Sequence, residues 1–218
     1  LGSGPLRPTA AAASMLALTG ALLLAWDASG LDLSVARWSG SAAGFALRDN
    51  WWLTVVLHDG AHKLAWAVAL LLCLGVWWPV GALRDLTLAE RLQLASTPLL
   101  AVLAVNLLKR ASGANCPWDL SPFGGMAPWL SHWSTFWQAD GGGGHCFPAG
   151  HASSGFAFVG GWLVWRRRHP VIAWRWLSQH LRSAHFTSHT LWTLWVCAAT
   201  AAVVDAAFRR GGLNRVWT

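Results

Sequence analysis

Long stretches without charge decide what this chain can be. Runs at 9–26, 62–78, 92–108, 147–165, 170–184 and 190–208 hold few charged residues or none. Several come near the roughly 20 apolar residues that a membrane helix needs. Inside a bilayer, backbone polar groups are satisfied only in helices or closed barrels. The runs predict an all-α fold: a polytopic membrane helical bundle of about six transmembrane spans, in one domain over residues 1–218. Composition agrees, since 55% of the residues are apolar and only 11% charged, against roughly 25% charged in soluble domains. The 18 tryptophans suit indole's preference for the membrane–water boundary. The net charge of +7 forms no aromatic-interleaved stripe, so nucleic acid is not an expected partner. Orientation signals and anionic headgroups account for it better.

Charge placement sets a direction. With the N-terminus inside, Arg7, Arg84, Arg91, Arg166, Arg167, Arg168, Arg209, Arg210 and Arg215 fall on the cytoplasmic side, nine of the 16 basic residues. They cluster beside span ends, as the positive-inside rule expects. The chain opens Leu1-Gly2-Ser3-Gly4 without methionine, the look of a fragment, and no A-x-A pattern follows the first run, which is expected to be retained. The fifth run is the shortest: about 15 residues at 1.5 Å each reach roughly 22 Å, less than the hydrocarbon core of about 30 Å. Two segments lie outside, 27–61 and 110–146. The first contains "RDNWWLTVVLHDG", which reads as an interfacial helix. The second is a long Gly/Pro/Trp-rich loop, of a length that is usually functional or disordered.

Cys116 and Cys146 bracket that second loop. An oxidising compartment favours a disulfide between them, worth on the order of 3–4 kcal/mol by the chain-entropy argument. Two free thiols or a metal pair are the alternatives. Cys73 and Cys197 fall within spans, where a thiol acts as a small hydrophobe.

Polar clusters meet at the outer boundary. Lys109 and Arg110 end the third span, His151 opens the fourth within "CFPAGHASSGFAF", and His185 and His189 lie between the fifth and sixth. Ionisable groups at membrane depth are costly and mark functional positions, although a lone histidine is more often structural. Gly150 and the amides opening the fourth helix form an anion site with the helix dipole. Lys109, Arg110 and Arg182 add charge-assisted bonds to phosphate oxygens. One histidine can attack phosphorus while another protonates the leaving oxygen, a chemistry that needs no metal and no cofactor.

These residues resemble the type 2 phosphatidic acid phosphatase superfamily, a group of membrane lipid phosphatases, and the wording resembles a bacterial branch of it. The family pattern is KxxxxxxRP, PSGH and SRxxxxxHxxxD. Here Lys109 and Pro117 match the first motif, with Cys116 at the arginine position. The second reads Pro148-Ala149-Gly150-His151, and in the third Ser178 and His185 match while Gln179 and His189 replace arginine and aspartate. The resemblance implies a phosphatase of a phospholipid, polyprenyl phosphate or lipid A phosphate. It would act at the outer face of the bacterial cytoplasmic membrane, with His185 as nucleophile, His151 as general acid and Lys109 on phosphate. Headgroup transfer to an acceptor other than water is a variant of the same chemistry. Arg110 and Arg182 stand near enough in sequence to replace the missing arginines.

The aspartate that would orient the nucleophile has two replacements, His189 in its place or Asp59 in "HDGAH". Asp59 equally suits a helix N-cap, and Asp205, some twenty helical residues on, falls roughly 30 Å from His185. Two other readings remain open: a non-catalytic, phosphatase-derived lipid-binding protein, and a His-ligated metal or haem protein. The second rests on the i,i+4 pair His185 and His189, with His58, His62 and His151 near.

Overall fold

The computed structural model describes residues 8–138, 143–165 and 186–210. Helices α1 (Pro8–Ser29), α3 (Gly60–Trp77), α4 (Leu88–Ala111) and α7 (Thr187–Arg210) dominate it. Among the described residues, four helices are long and apolar enough to cross a membrane: Ala10–Ser29, Thr54–Trp77, Leu88–Ala111 and Thr187–Arg210. Leu18, Leu22, Leu70, Leu71, Leu103 and Leu107 remain exposed on their outer faces, the surface that lipid would cover. The fold is the expected helical membrane bundle. The fifth run, 170–184, lies outside the described residues.

α4 and α7 form the centre, with α3 against α4 and α1 against α7. A capping box starts α4: Thr87 accepts from the Glu90 amide at 3.2 Å, and Glu90 accepts from the Thr87 amide at 2.8 Å. That arrangement satisfies two amides that the first turn would otherwise leave bare. Ala101, Val105 and Cys197 are fully buried where these helices meet. Across from them, Trp195 Nε1 donates to the Leu16 carbonyl at 2.9 Å and ties α7 to α1.

Two elements differ from their sequence expectation. The second long helix begins earlier than His62: Trp52–Asp59 is wound as a π-helix that runs directly into α3. "WWLTVVLHD" is therefore a continuation of that helix and not a separate interfacial one. His58, Asp59 and Lys63 had lowered the hydropathy of its outer end. The fourth run starts later than Phe147. Its helical part begins with α5 (Ser153–Phe156), tightens into 3-10 turns at Ala157–Gly160, and resumes as α6 (Gly161–Trp165). Glycine is a poor helix former, yet at Gly160 it is required: a Cβ there would lie 2.4 Å from Thr97 Cγ2 and 3.2 Å from Ala201 Cβ. The broken helix can thus sit close against both α4 and α7.

Outside the membrane helices, the chain forms α2 (Leu31–Ala36), a two-stranded hairpin of Gly40–Ser41 and Gly44–Phe45, and the loop beyond α4. Cys116 and Cys146 are joined by a disulfide, with Cα atoms 5.2 Å apart, inside the range such a bridge requires.

Candidate active site

The site is assembled where α4 ends. The residues before the Pro-Ala-Gly-His turn are stitched to the chain that leaves α4. His145 N donates to Ser112 O at 3.2 Å and Cys146 N to Ala114 O at 2.8 Å. Gly144 N donates to Asn115 Oδ1 at 2.9 Å. Together with the disulfide, these bonds fix the turn over the last turn of α4. A second set fixes it to α7: Ala149 N donates to His189 O at 3.3 Å, and Thr193 Oγ1 to Ala149 O at 3.2 Å.

This clamping places Lys109 against Gly150. A Cβ on Gly150 would lie 3.0 Å from Lys109 Nζ and 3.3 Å from its Cδ, so the lysine side chain lies directly across the turn. The next residue, His151, faces His62 of α3, with ring centroids 6.1 Å apart. His62 Nε2 accepts from Trp66 Nε1 at 3.2 Å. An indole can only donate, so His62 Nε2 is the acceptor in this bond. A cavity of about 200 Å³ collects these groups, with His62, Trp66, Asn106, Lys109, Gly150 and His151 in its wall. Val102, Leu99 and Phe158 form its apolar side. One ammonium and two imidazoles at the rim of an apolar slot suit an anionic head on an apolar tail.

Sequence reasoning named Lys109, Gly150 and His151, and the structure brings them together. It named His62 only within the metal reading, as a histidine near His151, and passed over Asn106. Asn106 offered a signal, lying three residues before Lys109 on the same helix face. His62 offered less, because only the packing of α3 on α4 delivers it. Arg110 is exposed and lies outside the cavity wall. Asp59 sits exposed where the π-helical segment passes into α3 and makes no side-chain cap bond to that helix. His185 and Arg182 lie outside the described residues. Asp205 is bound at the other end of α7, to Arg209 Nε at 2.7 Å and Gln93 Nε2 at 3.0 Å.

At the start of the fourth helix, Ser153 N, Ser154 N and Gly155 N donate to the carbonyls of Gly150, His151 and Ala152, each at 3.1 Å. α5 has only four residues, so few peptide dipoles align behind the turn.

His189 stands in the first turn of α7, buried among Phe147, Phe186 and His132. Its Nδ1 lies 3.0 Å from the carbonyl oxygen of Cys146. A carbonyl can only accept, so Nδ1 carries the proton and Nε2 holds the lone pair in the neutral ring.

A bundle of apolar helices with an ammonium and imidazoles gathered around one cavity fits a membrane protein. The chain belongs to the PAP2 superfamily, whose family model matches residues 91–210. That match spans α4, the disulfide loop, the Pro-Ala-Gly-His turn and α7, and so includes every site residue except those on α3. The family carries phosphatase activity on phosphate-bearing substrates, often lipids. Comparison with curated proteins and with solved structures gives no match.

Proposed function

We propose that this protein is a lipid phosphatase that removes a phosphate or diphosphate headgroup at the outer face of the cytoplasmic membrane. The observation that carries this reading is the Lys109 ammonium lying across Gly150 beside His151, in a cavity whose other wall is apolar. Lys109 binds phosphate oxygens, with Arg182 as the guanidinium nearest the nucleophile in sequence. The His185 imidazole attacks phosphorus as the bond to the leaving oxygen breaks, and His151 gives that oxygen its proton. Water then attacks the phosphohistidine. His151 takes the water's proton, the N–P bond breaks, and inorganic phosphate leaves.

Orientation of His185 falls to His189, four residues on. An acceptor on the far nitrogen of a nucleophilic imidazole fixes its tautomer and steadies the positive charge that forms. With its own Nδ1–H given to Cys146 O, neutral His189 has the acceptor nitrogen this role requires. The disulfide loop thereby prepares the histidine that replaces the family's aspartate.

The test is phosphate release by detergent-purified protein over a panel of phosphatidate, phosphatidylglycerol phosphate, polyprenyl diphosphate and lipid A, with and without chelator. The reading requires turnover of at least one of these that His151→Ala abolishes. Absence of release from all of them, or wild-type turnover in His151→Ala, contradicts it.

A further inference from the structure

A second polar cluster, separate from the phosphate cavity, is built around Asp27, Asp32 and His132. One donor atom from each lies within 4.8 Å of the others. Asp27 ends α1, Asp32 is in α2, and His132 comes from the disulfide loop, so three outer segments converge on one point. The Asp27 and His132 side chains are only 6% and 8% exposed. They line, with Asp32 and Asn115, a partly open cavity of about 30 Å³, enough for one ion with a water beside it.

The hydrogen bonds around the cluster orient its carboxylates without completing them. Asp27 Oδ2 accepts from Trp133 Nε1 at 2.9 Å and from Trp192 Nε1 at 2.8 Å. Asp32 Oδ1 accepts from Trp26 Nε1 at 2.9 Å and from Ser188 N at 3.1 Å. Asp27 Oδ1 is buried without a hydrogen-bond partner, while His132 Nε2 pairs with Asp27 Oδ2 at 3.3 Å. The Asn115 Nδ2 group is likewise buried and unpartnered. A buried polar atom left unmade is costly, and here two such atoms, Asp27 Oδ1 and Asn115 Nδ2, belong to residues that line one small cavity. Water would satisfy some of them. It would not supply charge, and two carboxylates against one imidazole leave the cluster short of positive charge at the edge of an apolar helix.

We propose that Asp27, Asp32 and His132 bind one divalent transition cation, of the zinc or manganese class, which clasps α1 and α2 to the disulfide loop. Two carboxylate oxygens and an imidazole nitrogen are the donor set such ions take, with an open position for water, and Asn115 Nδ2 lines the cavity as a donor to that water. The three indole N–H groups act as the outer hydrogen bonds that hold ligating carboxylates in place. Donors around an ion with bonds of about 2.1 Å lie about 3.4 Å apart in a tetrahedron, so closing the cluster takes side-chain shifts of about 1 Å. His132 also packs against His189, with ring centroids 5.3 Å apart, which places the clasp directly behind the helix turn carrying that residue.

The inference does not depend on the phosphatase reading, and its test needs no substrate. Detergent-purified protein is stripped with EDTA, dialysed and titrated with zinc chloride or manganese chloride. Bound metal is counted by mass spectrometry, and unfolding is followed by temperature. The wild type should take up one equivalent of one of the two metals, and its Tm should rise as it does so. Asp32→Asn keeps the shape and the acceptor for Trp26 and Ser188; it and His132→Gln should each weaken uptake by more than about tenfold. If the wild type binds neither metal and its Tm does not move, the cavity holds water and the proposal is wrong. Unchanged uptake in both variants would place the metal elsewhere and is equally fatal.

Discussion

His189 Nδ1 gives its hydrogen to the carbonyl oxygen of Cys146 at 3.0 Å, and one residue of a disulfide thereby sets the tautomer of a buried histidine. The bond matters because Cys146 is held from both sides, by the bridge to Cys116 and by its amide bond to Ala114.

If neutral His189 orients the nucleophile, His189→Phe should lower kcat by about 10²-fold or more, while Asp59→Asn stays near wild type. Protonation removes the acceptor nitrogen, so wild-type kcat should fall on acidification. His189→Asp restores a carboxylate and should retain activity to lower pH. Paired kcat–pH profiles check this, and a severe Asp59→Asn defect beside an active His189→Phe enzyme would reassign the role.

Lys109→Ala removes the ammonium and should lower kcat/KM by about 10²-fold, with little change in Tm. Gly150→Ala sets a methyl group 3.0 Å from Lys109 Nζ, which the flexible lysine relieves by a small shift, so its loss should stay well below that of Lys109→Ala. Near-normal turnover in Lys109→Ala would show that phosphate is bound by other groups.

The disulfide closes a loop over a sequence separation of 30. Its loss should cost on the order of 3–4 kcal/mol, so Cys116→Ser, Cys146→Ser and reduced wild type should unfold at similar, lowered temperatures. Unreduced digests should yield one cross-linked peptide, and two alkylatable thiols on that loop would contradict the pairing.

Gly160 is where the broken helix meets α4 and α7. Gly160→Leu forces atoms against Thr97 and Ala201 and should destabilise by about 1–3 kcal/mol or more, read as a lower Tm in detergent.

Much of this was legible in the sequence. Lipid-facing helices keep their leucines outward, so hydropathy alone marks α1, α4 and α7, and the end of α4 puts Lys109 where its motif position suggests. The start of α3 was hidden because His58, Asp59, His62 and Lys63 interrupt the apolar pattern there, although the helix runs through them. His62 was then named near His151 only as a possible metal ligand and not as part of a phosphate site, since its approach to His151 depends on how α3 packs. The Asp27–Asp32–His132 cluster is less legible still. Its members are far apart in the chain and have no metal-ligand spacing, and only the closure of the outer loop onto α1 unites them.

The most direct test is a single-turnover reaction with a substrate lipid carrying labelled phosphate, quenched in base, for wild type, His151→Ala and His185→Ala. The account predicts a base-stable, acid-labile label on wild-type protein that maps to His185 and is absent from His185→Ala. His151→Ala should form little label, because its leaving oxygen lacks a proton donor. Turnover by His185→Ala, or a label that survives in that variant, would contradict it.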